Sequence, residues 1–231
     1  DDAAGLAIAS RMTSQLNGLN MAVRNANDAI SYLQTADGAI VEISNMLQRM
    51  RELAVQAASG TIGSTDQDAL NTEFQALEEQ IQAISVNTEW NGTKILDGQQ
   101  GSVAFHVGAN AGQTISLEVG DYNTNNGTES ATLAANSSIF SSLDTDNSRG
   151  SVTDAHDLNV LDIDNTTSTS APAGTTAAIY ALDHAIDNVN ADRAAIGAAI
   201  NRLEYAADNL SSVAQNTSAS RSRVLDADYA A

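Results

Sequence analysis

Two long heptad patterns, one toward each end of the chain, constrain its fold more than any other feature. The C-terminal pattern alternates steps of three and four residues, and only two of its members are polar. Such spacing is typical of helices that pack along their length, because it keeps one stripe of side chains on a single helix face. Its members are Ile179, Leu182, Ile186, Val189, Arg193, Ile196, Ile200, Leu203, Ala207, Leu210, Ala214 and Thr217.

The N-terminal pattern slips by three residues at Ala36, which predicts a local overwinding of the helix pair. A helix from Leu16 to Ala57 would be roughly 60 Å long at ~1.5 Å per residue, too long for a small spherical domain. Its members are Leu16, Leu19, Val23, Ala26, Ile30, Leu33, Ile40, Ile43, Leu47, Met50, Ala54 and Ala57, and a shorter third pattern comprises Leu70, Phe74, Leu77, Ile81 and Ile84. Three such segments predict helices packed side by side in a bundle.

The middle of the chain has no helical period. Alternating runs at 102–107 and 113–119, joined by the glycine-containing segment 108–112, predict a β-hairpin. Residues 120–174 are short polar runs with turn residues, which favour a small β-rich lobe over a partly disordered segment. The expected fold is therefore mainly α: an elongated bundle of long coiled-coil-like helices from both chain ends, a β-hairpin, and a small β-rich or irregular inserted lobe.

Composition excludes several classes of function. The 231 residues include no cysteine, so disulfides, thiolate metal sites and thiol nucleophiles are excluded. With a formal net charge of -19 and only ten Lys and Arg, the chain would repel nucleic acids and anionic membranes. No apolar run approaches the ~18 residues that a membrane span needs.

No constellation in the sequence indicates an enzyme, a cofactor site or a metal site. His106, His156 and His184 lie in different segments without zinc-binding spacing. The segment 144–150 begins like a calcium loop but lacks the glycine and the bidentate carboxylate that such a loop requires. The pair Glu78-Glu79 is interpreted as part of a solvated helix face.

Several motifs, in this order along the chain, closely resemble those of bacterial flagellin. The most specific is the helical segment 45–61, which contains Leu47-Gln48-Arg49-Met50-Arg51-Glu52-Leu53-Ala54-Val55-Gln56. The others are residues 2–9, 25–31, 33–36, 90–98, 107–110, 201–204, 209–210 and 220–228. Together they extend the resemblance over roughly residues 1–120 and 175–231.

The resemblance implies a structural subunit of the extracellular flagellar filament or cell surface, serving motility. Flagellins have a helical core domain made from both chain ends and a variable outer domain between them. By that scheme, residues 1–120 and 173–231 form the core, including the hairpin at 102–119, and residues 121–172 form the outer lobe. The family exports its subunits unfolded through a type III channel, and its hairpin takes part in supercoil switching.

Both ends of the sequence have helix-like composition without convincing caps, so we expect flanking residues in the native product. In the family, the extreme terminal segments drive polymerisation. A core fragment without those segments is expected to be monomeric or nearly so.

The resemblance also implies partners: other flagellin subunits, an export chaperone, cap proteins and, for many members, Toll-like receptor 5. The receptor site of the family maps onto two segments, the motif above and the next helix. Its matching positions are Gln48, Arg49, Arg51, Glu52, Leu53, Gln56 and Glu73. Arg49 and Glu73 around an apolar anchor at Leu53 would suit a receptor hot spot, and the same surface would also suit filament packing.

The sequence leaves a second class of function open. A flagellin-like cell-surface binding protein or adhesin would use the lobe at 121–172 to recognise a ligand. An enzymatic insert would need a larger lobe with a catalytic signature, and neither is present.

Overall fold

The computed structural model describes residues 3–123 and 175–226. Three helices and two small two-stranded sheets make up this part of the chain. In chain order they are α1 (Ala3–Ala57), α2 (Ser64–Asn87), β1 (Glu89–Trp90), β2 (Thr93–Lys94), β3 (Ser102–His106), β4 (Thr114–Glu118) and α3 (Thr175–Asp226). The mainly helical fold class predicted from the sequence is confirmed.

Each heptad pattern lies on one of the three helices. α1 passes without a break through Ala36, whose side chain is completely buried. α2 ends at Thr88, which turns to an extended backbone (φ -75°, ψ 110°) while its N–H still donates to the carbonyl of Ile84 at 2.9 Å. The threonine hydroxyl donates to the same carbonyl at 2.6 Å, so this side chain closes the last turn.

β1 and β2 form a minimal antiparallel hairpin that the sequence reasoning did not predict. Glu89 pairs with Lys94 and Trp90 with Thr93, which leaves Asn91 and Gly92 as the turn. Both turn residues have positive φ, 51° and 77°. This is the geometry that Asn-Gly favours between two strands, since both positions demand a left-handed backbone.

β3 and β4 confirm the predicted hairpin, with strand ends one residue shorter than expected. The strands are connected by residues 107–113, and the N–H of Val107 donates to the carbonyl of Gln113 at 2.8 Å. Gly112 has φ of 83°, which only glycine adopts without strain.

The described chain divides into two compact units. The first, which we call the hairpin unit, comprises Asp1–Gln34, Ser102–Leu117 and Ala195–Ala231. Within it, the hairpin packs on α1: the rings of Tyr32 and Phe105 lie edge to face at 5.6 Å, and the Asn25 amide donates to the His106 carbonyl at 3.2 Å. A small apolar cluster also contains Leu16, Leu19, Ala109, Leu210 and Ala214.

The second unit, which we call the ion-pair unit, comprises Thr35–Gly101 and Glu118–Ala194. Arg193, the polar exception in the α3 heptad pattern, pairs with Asp37 of α1 at 3.0 Å. The fully buried Tyr122 donates its hydroxyl to Asp192 at 3.0 Å and its N–H to the Leu96 carbonyl at 3.0 Å. Charged and polar groups of this unit are thus satisfied by contacts between residues far apart in sequence.

The segment entering the predicted lobe is tightly packed at its first residues. Asp121 is 5 % exposed and lies so close to Gly98 that a Cβ there would be 2.4 Å from the carboxylate carbon. The remainder of the predicted lobe, including the acidic segment 144–150, lies outside the described residues. The division into residues 1–120, 121–172 and 173–231 stays a prediction.

Candidate functional site

Arg49 joins two helices on the surface of the ion-pair unit. Its guanidinium donates to Glu73 of α2 at 2.9 Å through Nε and to Glu52, one turn along α1, at 3.0 Å. The side chains of Arg49 and Glu73 remain about half exposed, at 48 % and 46 %. The structure therefore brings together the two segments that the sequence assigned to one site.

A second arginine of the same helix faces a different neighbour. Arg51 forms an ion pair with Asp183 of α3 through its Nε and a longer contact of 3.4 Å through its terminal nitrogen. Two arginines two residues apart in α1 thus bind carboxylates on two different helices. Sequence reasoning named Arg51 but had no means of finding Asp183, which is 132 residues away.

The electrostatics follow from these contacts. Hydrogen bonds first to Glu52 and then to Glu73 raise the pKa of Arg49 above its usual value. The hydrogen bond and charge of Asp183 likewise raise the pKa of Arg51. Both arginines therefore remain charged at any physiological pH.

Leu53 does not act as an exposed apolar anchor. Its side chain is completely buried, because residue 53 follows the heptad members Leu47 and Met50 around the inward face of α1. Gln48, Arg49, Arg51, Glu52 and Gln56 are all exposed on the same helix. We call the exposed set Gln48, Arg49, Arg51, Glu52, Gln56 and Glu73 the charged face.

Three further residues, which the sequence did not assign to this site, lie beside the charged face. Val55 is 48 % exposed and Tyr180 is 68 % exposed, and the ring of exposed His184 packs edge to face against Tyr180 at 4.6 Å. Val55, Tyr180 and His184 all fall outside the heptad patterns, but so does the buried Leu53, so position in the pattern alone does not identify them.

Glu78 departs from the solvated helix face expected for Glu78-Glu79. Burial, with a smaller contribution from the charge of Glu79, raises the pKa of Glu78 to about 7. A carboxyl group with such a pKa can titrate near neutrality.

Across the described ranges, no group of three or more His, Cys, Asp or Glu could hold a metal ion. None of the helices there is long and apolar enough to cross a membrane.

Two protein-family models match the sequence of this chain. Residues 1–101 match the bacterial flagellin N-terminal helical region, and residues 179–231 match the bacterial flagellin C-terminal helical region. These two matches cover the segments that form α1, α2 and nearly all of α3.

Individual relatives extend the similarity over the whole chain. A flagellin of Bacillus subtilis strain 168 is 39 % identical, with all of this chain aligned to 75 % of the relative. A flagellin of Halalkalibacterium halodurans is also 39 % identical, with all of this chain aligned to 72 % of the relative. The crystal structure of Bacillus cereus flagellin is 30 % identical, with a TM-score of 0.56, and the alignment covers 86 % of this chain and 94 % of that structure.

The fold and the comparisons lead to one family. Both terminal helical regions match it, the identity to named members extends over the full chain, and a solved member shares the fold. An adhesin function finds no support in these similarities, and a structural role fits the expectation that the chain is not an enzyme. The chain belongs to the bacterial flagellin family and is a structural subunit of the flagellar filament.

Proposed function

We propose that the charged face is a contact surface between neighbouring subunits of the filament. The observation that carries this proposal is the double engagement of Arg49, which binds Glu52 and Glu73 while staying half exposed. Isolated surface ion pairs add little to stability, because solvent screens them and long side chains lose entropy when they are fixed. A surface arginine fixed by two carboxylates is better suited to recognition.

Fixing these side chains before association lowers the cost of binding. A flexible arginine would lose rotamer freedom at an interface, whereas Arg49 is already held by two partners in the free subunit. Copies of a chain with a net charge of -19 also repel one another. A surface on which arginines offset carboxylates reduces that repulsion where copies meet.

The filament itself sets the type of contact. A helical polymer of identical subunits needs interfaces in which one surface of a copy meets a different surface of the next. The protein acts outside the cell, as a component of the flagellum. Homopolymer contacts are therefore the first use that we assign to the charged face.

Removing both ends of one ion pair tests this proposal without changing net charge. We expect the Arg49→Ala, Glu73→Ala double variant of the full-length gene product to polymerise about tenfold more slowly onto filament seeds, as measured by light scattering. The matched control is Arg202→Ala with Glu204→Ala, two exposed and oppositely charged residues of α3 in the other unit. Equal polymerisation rates for the two double variants and the native protein would contradict the proposal.

The same surface is also our candidate for recognition by Toll-like receptor 5. Gln48, Arg49, Arg51, Glu52, Gln56 and Glu73 match the family's receptor motif and are all exposed. A reporter cell expressing the receptor should respond less to the Arg49→Ala, Glu73→Ala variant than to native protein. An unchanged dose–response curve for that variant would exclude receptor recognition through this pair.

Two further partners follow from family membership as proposals: an export chaperone and the cap proteins at the filament tip. Neither has a contact assigned to it on the described residues. Co-purification of each candidate with the full-length chain, from cells that express both, would test the pairing directly.

A further inference from the structure

Two Asn–Gly pairs of the described chain lie in different structural settings. Asn17-Gly18 lies inside α1, whereas Asn91-Gly92 forms the two-residue turn between β1 and β2. Both asparagine side chains are exposed, and neither has a hydrogen-bond partner within the described residues. A third pair, at 126–127, lies outside those residues. The two described pairs therefore share their chemistry and differ in their backbone.

An asparagine that precedes a glycine can react with its own main chain. The main-chain nitrogen of the glycine attacks Cγ of the asparagine, so that a bond between this nitrogen and Cγ forms while the bond between Cγ and Nδ2 breaks. Ammonia leaves with the proton that the main-chain nitrogen gives up, and a five-membered succinimide ring remains. Glycine obstructs this attack least, because it carries no Cβ beside the attacking nitrogen.

Ring closure restricts the backbone of the asparagine. The nitrogen of the following residue must come to the same side of the chain as Cβ. The first central residue of a type II′ turn has this arrangement, with φ of about +60° and ψ of about -120°. Asn91 already has a positive φ of 51°. Only its ψ therefore separates Asn91 from the reactive geometry.

A rotation of one peptide unit supplies that change in ψ. Asn91 and Gly92 both have positive φ, 51° and 77°, as in a type I′ turn. Types I′ and II′ share a positive φ at the first central residue, and both connect hairpin strands, so rotating the peptide between Asn91 and Gly92 converts one type into the other while the strands stay paired. Apart from its chain neighbours, no described residue has an atom within 4 Å of the position that a Cβ of Gly92 would take. The turn therefore has room for the rotation.

The helical pair lacks this route. Inside an α-helix the N–H of Gly18 donates to the carbonyl four residues earlier, which holds the nitrogen away from the asparagine side chain. Ala109 of the longer hairpin also packs there, with its Cβ 3.4 Å from the position that a Cβ of Gly18 would take. Leu16 and Leu19, on either side of the pair, are buried. Reaction at Asn17 therefore requires α1 to open locally, which costs more than a rotation in an exposed turn.

We propose that Asn91 is a self-modifying residue of the folded subunit, which loses ammonia to the attack of Gly92 while β1 and β2 stay paired. Water then opens the succinimide: attack at Cγ gives aspartate, and attack at the main-chain carbonyl carbon gives isoaspartate, whose main chain is one carbon longer. Isoaspartate no longer fits a two-residue turn that sets Trp90 opposite Thr93. Each product adds a negative charge and water does not restore the amide, so the turn records the age of the subunit. Asn91 acts here independently of the charged face.

Peptide mapping by mass spectrometry tests this site on dilute subunits of the full-length gene product held at mildly alkaline pH. Fragmentation that distinguishes isoaspartate from aspartate follows both pairs in the same sample, and the Asn91→Asp variant supplies the standard for one product. In the folded protein, Asn91 is expected to deamidate at least about tenfold faster than Asn17. In urea the two rates should agree within about threefold, because neither pair keeps its structure. In water enriched in oxygen-18, each product should carry a labelled oxygen from ring opening.

Three outcomes would overturn the inference. Deamidation of Asn91 no faster than that of Asn17 in the folded protein would show that the turn gives no route to the reaction. An Asn91 rate that rises more than about tenfold on adding urea would show that the strands must unpair first. A preference for Asn91 that persists unchanged in urea would assign the difference to neighbouring side chains and not to the fold.

Discussion

The hairpin unit and the ion-pair unit are filled by different kinds of side chain. Nine of the eleven largest fully buried side chains that the structure describes belong to the ion-pair unit, and Phe74 and Tyr122 are among them. The other two, Leu33 and Ile196, belong to the hairpin unit. Within the described ranges, alanines are six of the thirteen buried hydrophobic residues of the hairpin unit, among them Ala22, Ala26 and Ala199, against six of nineteen in the ion-pair unit. Small residues allow close packing of helices, whereas large ones remove more apolar surface from water.

Polar contacts follow the same division. Each ion pair described above lies in the ion-pair unit. The polar contacts described in the hairpin unit have at least one neutral partner, as in the amide of Asn25 on the His106 carbonyl. We expect the ion-pair unit to resist opening more strongly than the hairpin unit.

The largest expected effect comes from removing a core leucine in each unit. Leu47→Ala should lower the free energy of unfolding by about 3 kcal/mol, because Leu47 is fully buried among large side chains that cannot close the cavity. Leu19→Ala, in the smaller cluster of the hairpin unit, should cost about 2 kcal/mol. Urea unfolding followed by circular dichroism measures both, and a larger loss for Leu19→Ala would invert the comparison.

A smaller effect is expected from the polar contacts. Tyr122→Phe removes only the hydroxyl that donates to Asp192. Burial already raises the pKa of that carboxyl group, so losing the hydrogen bond should lower the free energy of unfolding by about 2 kcal/mol. Asn25→Ala, which removes a neutral bond at 3.2 Å in the hairpin unit, should cost about 1 kcal/mol. Thermal unfolding at pH 7 compares them, and equal costs would show that the carboxylate partner adds nothing.

The smallest effect depends on pH. Burial raises the pKa of Glu78 to about 7 in the folded state. Between about pH 4 and 7 the folded state therefore binds more protons than the unfolded state. The free energy of unfolding consequently falls as pH rises through that range. Glu78→Gln should therefore stabilise the protein by about 1 kcal/mol at pH 8, after allowance for solvent screening, and by less at pH 5.

Glu79→Gln is the matched control for that titration, since Glu79 is exposed. It should change stability little at pH 8, apart from relieving a small repulsion on Glu78. A pH-independent effect of Glu78→Gln would show that burial does not perturb this carboxyl group.

Sequence reasoning recovered what depends on periodicity. The three helices and the hairpin at 102–119 follow from repeating apolar positions. The strand ends differ from expectation by one residue, whereas α1 begins 13 residues before Leu16 and α3 ends nine residues after Thr217. The β1–β2 hairpin was missed although Asn91-Gly92 is a strong turn signal, because strands of two residues have no detectable alternation.

Contacts between distant segments could not be predicted. Neither the pairing of Arg51 with Asp183 nor the raised pKa of Glu78 follows from local sequence, since both depend on which helix faces which. Leu53 shows the same limit: a motif identifies the segment, but only packing decides that this side chain is buried while Val55 is exposed.

The contacts between α1 and α3 have a kinetic consequence. They join residues separated by 132, 156 and 208 positions, in the pairs Arg51–Asp183, Asp37–Arg193 and Thr13–Arg221. During synthesis, α1 therefore cannot form its contacts with α3 until nearly the whole chain has been made. Contacts of such high sequence separation slow folding, which leaves an interval in which the nascent chain stays unfolded and open to capture.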